Sequence, residues 1–479
     1  MTWFWWCAYA VATLALLAFG IHAFVLLAWR RRHRTRYLAR LDAARATSEL
    51  GRTHCPTVLV QLPVYDEPSV VVRAMNAAAA LDWPRDRFCV QVLDDSSDDS
   101  RERIDAAAAR LRAAGTNVDV LRRTSRDGFK AGALAAGLRQ SDAEFVAVFD
   151  ADFVPPTDFL RRALPLMDAG ARVGCVQGRW GHLNREQNWL TRAQATAVDA
   201  HFHVQQLARA ASGRLLNFNG TAGIWRRTAI DDAGGWSGAT LTEDLELSYR
   251  AQLRGWRIVF DPDLVVPAEL PPTLAAYKSQ QQRWACGSMQ CARRFLVRVW
   301  RSELDLASRI EATFHLCGYG VCVAVLMLTL LLPFGIGHLP LALHHSASWA
   351  LWALIWVAGI GPICVTREGQ RADGRPVSLR ASLATTLLGL GTAANNAVAA
   401  LRGLALPIPT FVRTPKRGDG PAVRTEPPRI ESALAVSTLV AAASLAPTAP
   451  ASIVAYTLFC ASGYWTLAAY WWRVERLPS

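Results

Sequence analysis

The sequence predicts a fold in two parts: an α/β domain built on a mostly parallel sheet, and an α-helical transmembrane bundle. Hydrophobic residues make up 52% of the 479 residues, and charged residues only 19%. The apolar residues collect in blocks at the two ends of the chain, whereas residues 50–300 carry most of the acidic residues. In this central part, short β-rich runs alternate with Ala-rich helical stretches, which is the βαβ pattern of a parallel sheet. This distribution argues against a wholly soluble protein.

The first apolar block predicts a transmembrane helix. Residues 5–29 form an apolar stretch interrupted only by His22, with tryptophans at both ends, and about 20 such residues suffice to cross a bilayer. The stretch is too long and too aromatic at its start for a signal peptide. The basic cluster at residues 30–36 places the N-terminus outside and the central domain in the cytoplasm.

The C-terminal part predicts four more spans and one helix along the membrane surface. The spans are residues 312–335, 347–365, 432–447 and 451–472. Basic residues follow the third span of the chain and precede the fourth, so both flanks belong on the cytoplasmic side. A crossing by residues 379–406 would move one of these basic loops outside, and the segment carries Asn395, Asn396 and Arg402. We therefore predict an interfacial helix there, and five spans in all.

The net charge of +13 is explained by the membrane flanks. Basic clusters lie directly beside apolar spans, where they set the orientation and contact anionic lipids. We therefore expect membrane lipids among the partners, and no nucleic acid. The ten cysteines are scattered, and Cys286 and Cys291 lack the spacing of a zinc knuckle, so neither a disulfide framework nor a structural zinc site is predicted.

The central domain is predicted to alternate strands and helices in chain order. β-Rich runs predict strands at residues 57–62, 89–93, 118–121, 145–149 and 173–177. Stretches such as 70–81 and 100–114 predict helices between them. Ligands of such sheets bind at the carboxyl ends of the strands, so the residues that follow each strand are the first candidates for a functional site.

Acidic pairs follow two of these strands. Asp94 and Asp95 come after the second strand, and Asp150 and Asp152 after the fourth. Carboxylates at strand ends with one residue between them can share a hard divalent ion, which usually keeps substrate phosphates among its ligands. An Asp-x-Asp pair by itself is weak evidence, since acidic loops are common.

Two further motifs each allow two interpretations. Thr242, Glu243 and Asp244 open a helical run, where they favour either a helix cap or catalysis. The segment 280–284 (QQQRW) lies on a predicted amphipathic helix, where Arg283 and Trp284 are either interfacial anchors or ligands for a phosphate and a sugar ring. The four motifs DDS, DAD, TED and QxxRW occur in this order in one chain, and no capping or anchoring rule predicts that combination. The order therefore favours the functional interpretation of TED and QxxRW.

With these motifs the chain resembles the membrane-embedded family 2 glycosyltransferases, the superfamily of cellulose, chitin and hyaluronan synthases. The resemblance covers nearly the whole chain. Residues 127–134 (DGFKAGAL), 218–226 (FNGTAGIWR) and 242–252 (TEDLELSYRAQ) look most like the cellulose synthase-like glucomannan and β-1,4-mannan synthases. The resemblance implies a nucleotide-sugar transferase domain of the GT-A fold.

The resemblance also implies a role for each motif. Asp244 matches the catalytic base, and Asp150 with Asp152 would hold Mg²⁺ or Mn²⁺ on the donor diphosphate. Residues 63–67 begin the nucleotide pocket. Residues 411–416 resemble the gating loop of cellulose synthases, with Arg413 where that pattern has valine. The donor-binding residues implied are Asp66, Asp94, Asp95, Lys130, Arg283, Thr414 and Lys416, and the acceptor-binding residues are Asn219, Gly220, Thr221, Glu243, Gln280 and Trp284.

The sequence thus predicts a processive inverting hexosyltransferase that builds a β-mannan, glucomannan or β-glucan and passes it across the plasma (inner) membrane. GDP-mannose, UDP-glucose and GDP-glucose remain open as donors, and the growing glycan is the acceptor; accessory export proteins are not identified. The alternatives are a transferase that adds one sugar to a lipid, such as ceramide or diacylglycerol, and a transporter or receptor with a cytoplasmic sugar-binding domain. A transporter or receptor would need neither the TED motif nor the metal-binding acids.

These predictions divide the chain into six segments. They are residues 1–36, an N-terminal transmembrane helix with its basic flank; 50–270, the cytoplasmic GT-A domain; 271–310, interfacial helices with QxxRW; 311–366, a transmembrane hairpin; 376–430, the interfacial helix and candidate gating loop; and 431–479, a C-terminal transmembrane hairpin.

Overall fold

A mixed β-sheet forms the centre of the protein. The computed structural model describes residues 2–50, 53–335, 341–405, 427–447, 449 and 451–475. Within these residues the sheet has seven strands in the order β3-β2-β1-β4-β6-β5-β7. The strands are β1 (Val58–Val64), β2 (Phe88–Asp94), β3 (Val118–Arg122), β4 (Phe145–Val148), β5 (Val173–His182), β6 (Gly223–Arg226) and β7 (Arg257–Ala268).

The sheet is mostly parallel, as predicted. Strands β1 to β4 pair in parallel, as do β5 and β7, whereas β6 runs antiparallel to both of its neighbours. The first five strands match the predicted runs to within a few residues, although β5 extends five residues beyond its predicted end at residue 177. Sequence patterns did not predict β6 and β7. The four residues of β6 are too few to show an alternation, and β7 contains two prolines.

Helices α2 to α4 cover the first half of the sheet. They are α2 (Val71–Ala79), α3 (Ser100–Ala113) and α4 (Phe129–Leu138). They pack on β1, β2 and β3. Val60, Val90 and Val146 are fully buried beneath these layers. Burying such a side chain contributes about 1.5–3 kcal/mol, which explains why the strands are nearly continuous runs of Val, Leu and Phe.

The second half of the domain carries several shorter helices. They are α5 (Phe159–Ala163), α6 (Trp189–Ala200), α7 (Leu207–Ala211), α8 (Arg227–Asp232) and α9 (Glu243–Gln252). A π-helical turn over His201–Gln206 joins α6 to α7. Such turns often occur at functional sites.

The remaining helices belong to the two ends of the chain. The first is α1 (Thr2–Thr47). The others are α10 (Leu274–Arg301), α11 (Leu306–Leu316), α12 (Gly320–Gly335), α13 (Leu341–Ala372), α14 (Leu379–Gly391), α15 (Ala393–Ala405), α16 (Arg429–Leu445) and α17 (Ala451–Tyr470).

Two of the described helices are long and apolar enough to cross a membrane. They are the stretches Cys7–Thr47 and Ala451–Glu475. Helices α11 and α12 pass the same test as a pair, but they meet at an angle of 61°. This supports a membrane association of the chain, while the predicted total of five spans stays a prediction. The segment predicted as one interfacial helix forms two helices, α14 and α15, of which α15 packs along α10; its position at the membrane surface stays a prediction.

Helix α1 connects the apolar helices to the sheet. Near its C-terminal end, the hydroxyl of Tyr37 donates to the carbonyl of Phe260 in β7 (2.8 Å) and accepts from the N–H of the same residue (2.9 Å). Nearer the apolar segment, Arg30 pairs with Glu368 of α13 (2.5 Å) and donates from Nε to the carbonyl of His203 in the π-helical turn (2.7 Å). The domain is therefore attached to α1 at two separate points.

Candidate active site

The acidic residues predicted from the sequence meet at one edge of the sheet. Because β1, β2 and β4 are parallel, the residues that follow them lie side by side, and Val64 of β1 is in register with Asp94 of β2. Asp66, Asp95 and Asp150 follow these three strands directly. This is the edge at which ligands bind in sheets of this kind.

Asp94 and Asp95 are both engaged by arginines. Asp94 is buried, accepts from the Ser96 N–H (3.0 Å) and pairs with Arg122 (2.7 Å). Asp95 binds Arg123 through both carboxylate oxygens. Asp94 therefore braces the loop after β2, and Asp95 lies nearer the surface of the pocket, at 7% side-chain exposure against 0% for Asp94.

The loop after β1 is held in an unusual conformation. Asp66 has a positive φ of 51°, which non-glycine residues rarely adopt. Its N–H donates to Ser96 Oγ (2.9 Å), and its Oδ1 accepts from the Ser97 N–H (2.7 Å). These bonds tie the ends of β1 and β2 together. Beside them, the guanidinium of Arg126 stacks 3.3 Å from the centre of the Tyr65 ring.

Lys130 lies at the centre of the site. Its Nζ donates to Asp150 Oδ1 (2.6 Å) and to the carbonyl of Gly220 (2.8 Å), and lies 3.7 Å from Glu243 Oε1. Burial opposes the charge on this lysine, but the carboxylates of Asp150 and Glu243 outweigh it and raise the pKa of Lys130 above its usual value. The lysine therefore stays a cation, placed for a phosphate ligand.

The pair Asp150 and Asp152 differs in exposure. The Asp150 side chain is 35% exposed, whereas Asp152 is buried. The N–H of Asp150 donates to Thr221 Oγ1 (2.9 Å), which fixes the residue after β4 against the predicted acceptor-binding segment. In the described part of the chain, no group of three or more His, Cys, Asp or Glu side chains is arranged to hold a metal ion by itself.

Asp244 lies at the start of α9, against the backbone of Gly220. Gly220 has a φ of +83°, and a Cβ at this position would lie 2.9 Å from Asp244 Oδ2, so only glycine permits this approach. The other oxygen of Asp244 accepts from the Leu245 N–H (2.8 Å). Burial, reinforced by the nearby Glu243 carboxylate, raises the pKa of Asp244 from 3.8 to about 7. A carboxyl group with such a pKa suits general base catalysis at neutral pH.

Helix α10 brings the QxxRW motif to the same place. Burial lowers the pKa of Arg283, while the carboxylates of Asp150, Glu243, Glu67 and Asp152 counteract this effect, so Arg283 faces the acidic edge. Trp284 and Trp180 of β5 have ring centres 6.2 Å apart. Gln280, like Trp284, is partly exposed.

A close contact fixes α10 relative to α9. A Cβ on Gly287 would lie 2.5 Å from Thr242 Cγ2 and 2.9 Å from the Thr242 nitrogen, so the helix touches the start of the TED segment directly. In addition, the N–H of Leu241 donates to Gln290 Oε1 of α10 (2.9 Å). The position of Arg283 relative to Asp244 follows from these contacts.

Sequence reasoning missed several residues of the site. Arg126, which stacks on Tyr65 of the predicted nucleotide pocket, and Trp180 belong to no motif in the sequence. His201 was also missed: its Nε2 lies 3.3 Å from Asn219 Nδ2. Burial lowers the pKa of His201 to about 4, so its ring is neutral at pH 7. Two predicted donor-binding residues, Thr414 and Lys416, lie outside the described residues, as does the whole candidate gating loop.

Comparison with known proteins identifies the central domain. Residues 56–287 match the family model described as "Glycosyltransferase like family 2". A glucomannan 4-beta-mannosyltransferase of Arabidopsis thaliana is 42% identical over 259 residues, which are 53% of this chain and 48% of the relative. One from Cyamopsis tetragonoloba is 43% identical over 262 residues, 54% of this chain and 49% of that protein. The chain thus spans about half the length of the curated relatives it matches.

Solved structures give the fold. A mannosyltransferase from Pyrobaculum calidifontis, solved in complex with GDP-Man and Mn²⁺, aligns with a TM-score of 0.51 at 21% identity, over 83% of this chain and 99% of that one. This likeness confirms the predicted GT-A fold. Together with the match over residues 56–287, it identifies the central part of the chain as a glycosyltransferase family 2 domain of the GT-A fold.

Proposed function

We propose that the protein is a processive inverting hexosyltransferase that polymerises a β-mannan or glucomannan from a nucleotide sugar. The observation that carries the proposal is the position of Asp244. This carboxyl group has a pKa of about 7 and lies against Gly220, whose carbonyl binds the same lysine that contacts Asp150. A base and a phosphate-binding cation are thus joined through one backbone group.

In this proposal Asp244 is the catalytic base. It takes the proton from an acceptor hydroxyl while that oxygen attacks the anomeric carbon of the donor, and the bond from this carbon to the diphosphate breaks. Attack from the side opposite the leaving group inverts the configuration at the carbon. The general base contributes about 10²- to 10⁴-fold to the rate of such a step.

The donor occupies the edge formed by the loops after β1, β2 and β4. Asp95 and Asp66 lie beside the base and ribose, with Asp94 bracing their loop, and Lys130 and Arg283 contact the diphosphate. The cationic charge of Lys130, which the neighbouring carboxylates stabilise, supports this assignment. Thr414 and Lys416 belong to the same proposal as parts of a gating loop.

Asp150 and Asp152 are the proposed holders of Mg²⁺ or Mn²⁺. Their hard oxygen donors fit such an ion, and two carboxylates are the usual protein share when substrate phosphates supply further ligands. In the described residues no group of three or more His, Cys, Asp or Glu side chains is arranged to hold a metal, which fits an ion shared with the donor. When bound, the ion would neutralise charge on the departing nucleoside diphosphate.

The acceptor lies between the segment 219–221 and α10. In this proposal Glu243 and Gln280 contact sugar hydroxyls, and Trp284 offers a flat face to the terminal ring. Stacking holds a ring without fixing one pattern of hydroxyl groups, which suits a polymer that must slide after each addition. The apolar helices at both chain ends support translocation across the plasma (inner) membrane, with the domain on the cytoplasmic face.

The decisive experiment measures the product formed from each donor. The purified chain in lipid nanodiscs is incubated separately with radiolabelled GDP-mannose, UDP-glucose and GDP-glucose, with Mg²⁺ or Mn²⁺. The product is sized and digested with linkage-specific glycanases. The Asp244→Asn variant is the control for catalysis by a contaminating enzyme.

A long product that β-mannanase degrades is the expected result. A long product from UDP-glucose alone would keep processivity and replace the mannan by a glucan. Label found only in lipid-sized material would overturn the proposal in favour of a transferase that acts on ceramide or diacylglycerol.

A further inference from the structure

The segment 217–221, which we call the acceptor loop, is held by hydrogen bonds along its length. Its partners come from five separate parts of the domain. The loop accepts three bonds: from Gln206 Nε2 to the Asn217 carbonyl (2.8 Å), from Lys130 Nζ to the Gly220 carbonyl (2.8 Å) and from the Asp150 N–H to Thr221 Oγ1 (2.9 Å). It donates two bonds: from the Phe218 N–H to Ser248 Oγ (2.8 Å) and from the Asn219 N–H to Gln177 Oε1 (2.8 Å). A loop bound in this way has one position relative to Asp244.

One further contact to this loop comes from α11, outside the family 2 domain. His315 Nε2 lies 3.1 Å from Asn217 Oδ1, and His315 Nδ1 lies 2.9 Å from the hydroxyl of Tyr249 in α9. An amide oxygen can only accept, so Nε2 carries the proton, and Nδ1 then accepts from the tyrosine hydroxyl. His315 thus connects α9, which begins with the TED acids, to the start of the acceptor loop.

Helix α11 is itself anchored one turn earlier. Glu311 is 2% exposed, and its two carboxylate oxygens bind different helices. One oxygen lies 2.7 Å from His22 of α1, within a candidate membrane span, and the other accepts from Arg209 Nε of α7 at 2.7 Å. Glu311 and His315 are four residues apart and therefore lie on the same side of α11. The anchored side of the helix is the side that reaches the acceptor loop.

We propose that His315 is a positioning residue that fixes the acceptor loop against Asp244 through its Nε2 proton. This inference rests on the proposed function for the identity of the acceptor, but not for the geometry of the loop. His315 touches neither the donor nor the reacting atoms in this proposal. Its loss weakens the use of the acceptor and leaves donor binding unchanged.

Three substitutions of His315 test the roles of its two ring nitrogens separately. In His315→Gln the amide N–H replaces Nε2 and can still reach Asn217, whereas in His315→Asn the shorter amide replaces only Nδ1. His315→Ala loses both. We expect the catalytic efficiency with acceptor oligosaccharides to fall by about tenfold in the Ala and Asn variants, as for loss of one buried hydrogen bond, and to stay near normal in the Gln variant. The dissociation constant for the donor nucleotide sugar should not change in any variant.

Hydrogen exchange supplies a readout that needs no substrate. The amides of residues 217–221 should exchange faster in the Ala and Asn variants and at the wild-type rate in the Gln variant. His54→Ala changes the same residue type at an exposed position and should leave both exchange and activity unchanged. Tyr249→Phe removes only the hydroxyl that faces Nδ1, and it should affect the loop less than His315→Ala does.

The results distinguish this inference from the proposed function. Equal exchange in all three His315 variants, or equal loss of activity in the Gln and Asn variants, would show that the side chain acts only by filling space. A change in the donor dissociation constant as large as the change in acceptor use would also overturn the positioning role. If the wild-type chain transfers no sugar, the proposed function fails, and the exchange data still decide the role of His315.

Discussion

Asp244 shows how the surroundings of one residue raise the pKa of its carboxyl group. A solvent-exposed aspartate is a weak base at neutral pH, because its pKa lies near 4. Here burial and the charge on Glu243 raise the pKa of Asp244 to about 7, although Lys130 acts in the opposite direction. The helix cap was the alternative interpretation of this acid. Its side chain accepts from the neighbouring Leu245 N–H, and Thr242, the residue that precedes α9, makes no side-chain capping bond.

Asp244→Asn should retain donor binding and lose transfer. The amide has nearly the same shape but cannot accept the hydroxyl proton, so we expect the transfer rate to fall by about 10²- to 10⁴-fold. Radiolabelled product and calorimetric donor binding measure the two effects. Asp142→Asn, at an exposed position, is the matched control. Transfer at the normal rate by Asp244→Asn would exclude this residue as the base.

The pH dependence of transfer gives a second test of Asp244. The base acts in its deprotonated form, and its pKa is raised, so activity should rise with pH up to about 7 and level off above it. Below this pH the rate should fall by about tenfold per unit. Transfer rates measured at saturating donor between pH 5 and 9 would show this rise in activity. A rate that stays constant from pH 5 to 9 would mean that a carboxyl group with an ordinary pKa near 4 controls the reaction.

At the scale of elements, the site depends on how α10 meets α9. The QxxRW motif is distant in sequence from the TED segment, and the Gly287 contact with Thr242 brings the two together. A side chain at position 287 would push the helices apart. Arg283 would then move away from the acids that surround it.

Gly287→Ala should therefore lower the transfer rate. The added methyl group meets backbone as well as side-chain atoms, and overpacking of this kind costs about 1–3 kcal/mol of stability. The rate should fall even where thermal melting shows that the variant is folded. Gly389→Ala on α14 is the control, since nothing lies within 4 Å of its added Cβ. Unchanged transfer by Gly287→Ala would show that the close contact does not set the site geometry.

The two aspartates after β4, Asp150 and Asp152, predict that the binding of the metal ion depends on the bound nucleotide. Because no group of three or more ligand side chains in the described residues is arranged to hold a metal, Mn²⁺ alone should bind weakly to the two aspartates, and GDP or UDP should tighten its binding by about tenfold or more. Asp152→Ala should remove this increase. Titration of Mn²⁺ with and without nucleotide, followed by electron paramagnetic resonance, measures it. Equal titrations for wild type and Asp152→Ala would remove the DAD pair from the metal site.

At the scale of the whole molecule, the family 2 domain is attached to apolar helices through buried contacts. Tyr37 binds the backbone of β7, and Arg30 joins α13 to the π-helical turn. Both contacts come from the C-terminal half of α1, most of which is a candidate membrane span. The domain is therefore held in one orientation relative to the helices.

The intact chain should behave as an integral membrane protein. After cell fractionation, alkaline carbonate should leave it in the membrane pellet, because its apolar helices and not only its basic flanks hold it there. Immunoblotting of pellet and supernatant measures this, with a peripheral protein as the control. Recovery in the carbonate supernatant would contradict a membrane-spanning arrangement.

Much of the domain could be predicted from local patterns. The strands β1 to β5 have continuous runs of Val, Leu and Phe, because both faces of a parallel sheet are buried, and such runs are visible without a structure. The acids after β2 and β4 and the TED and QxxRW segments could be recognised for the same reason: each is contiguous. Strand β6 and the pair of Tyr65 and Arg126 could not be recognised, since they depend on partners far along the chain.

The sequence by itself determined the class of the domain, the positions of its acids and the presence of helices long and apolar enough to cross a membrane. These follow from composition and from spacing over a few residues. The tertiary structure alone decided which acid has a raised pKa and which residues hold the segment 217–221. The physical reason is that a pKa depends on burial and neighbouring charges, and that the contacts of His315 and Gly287 join residues 45 to 98 positions apart. Such contacts exist only once the chain has folded.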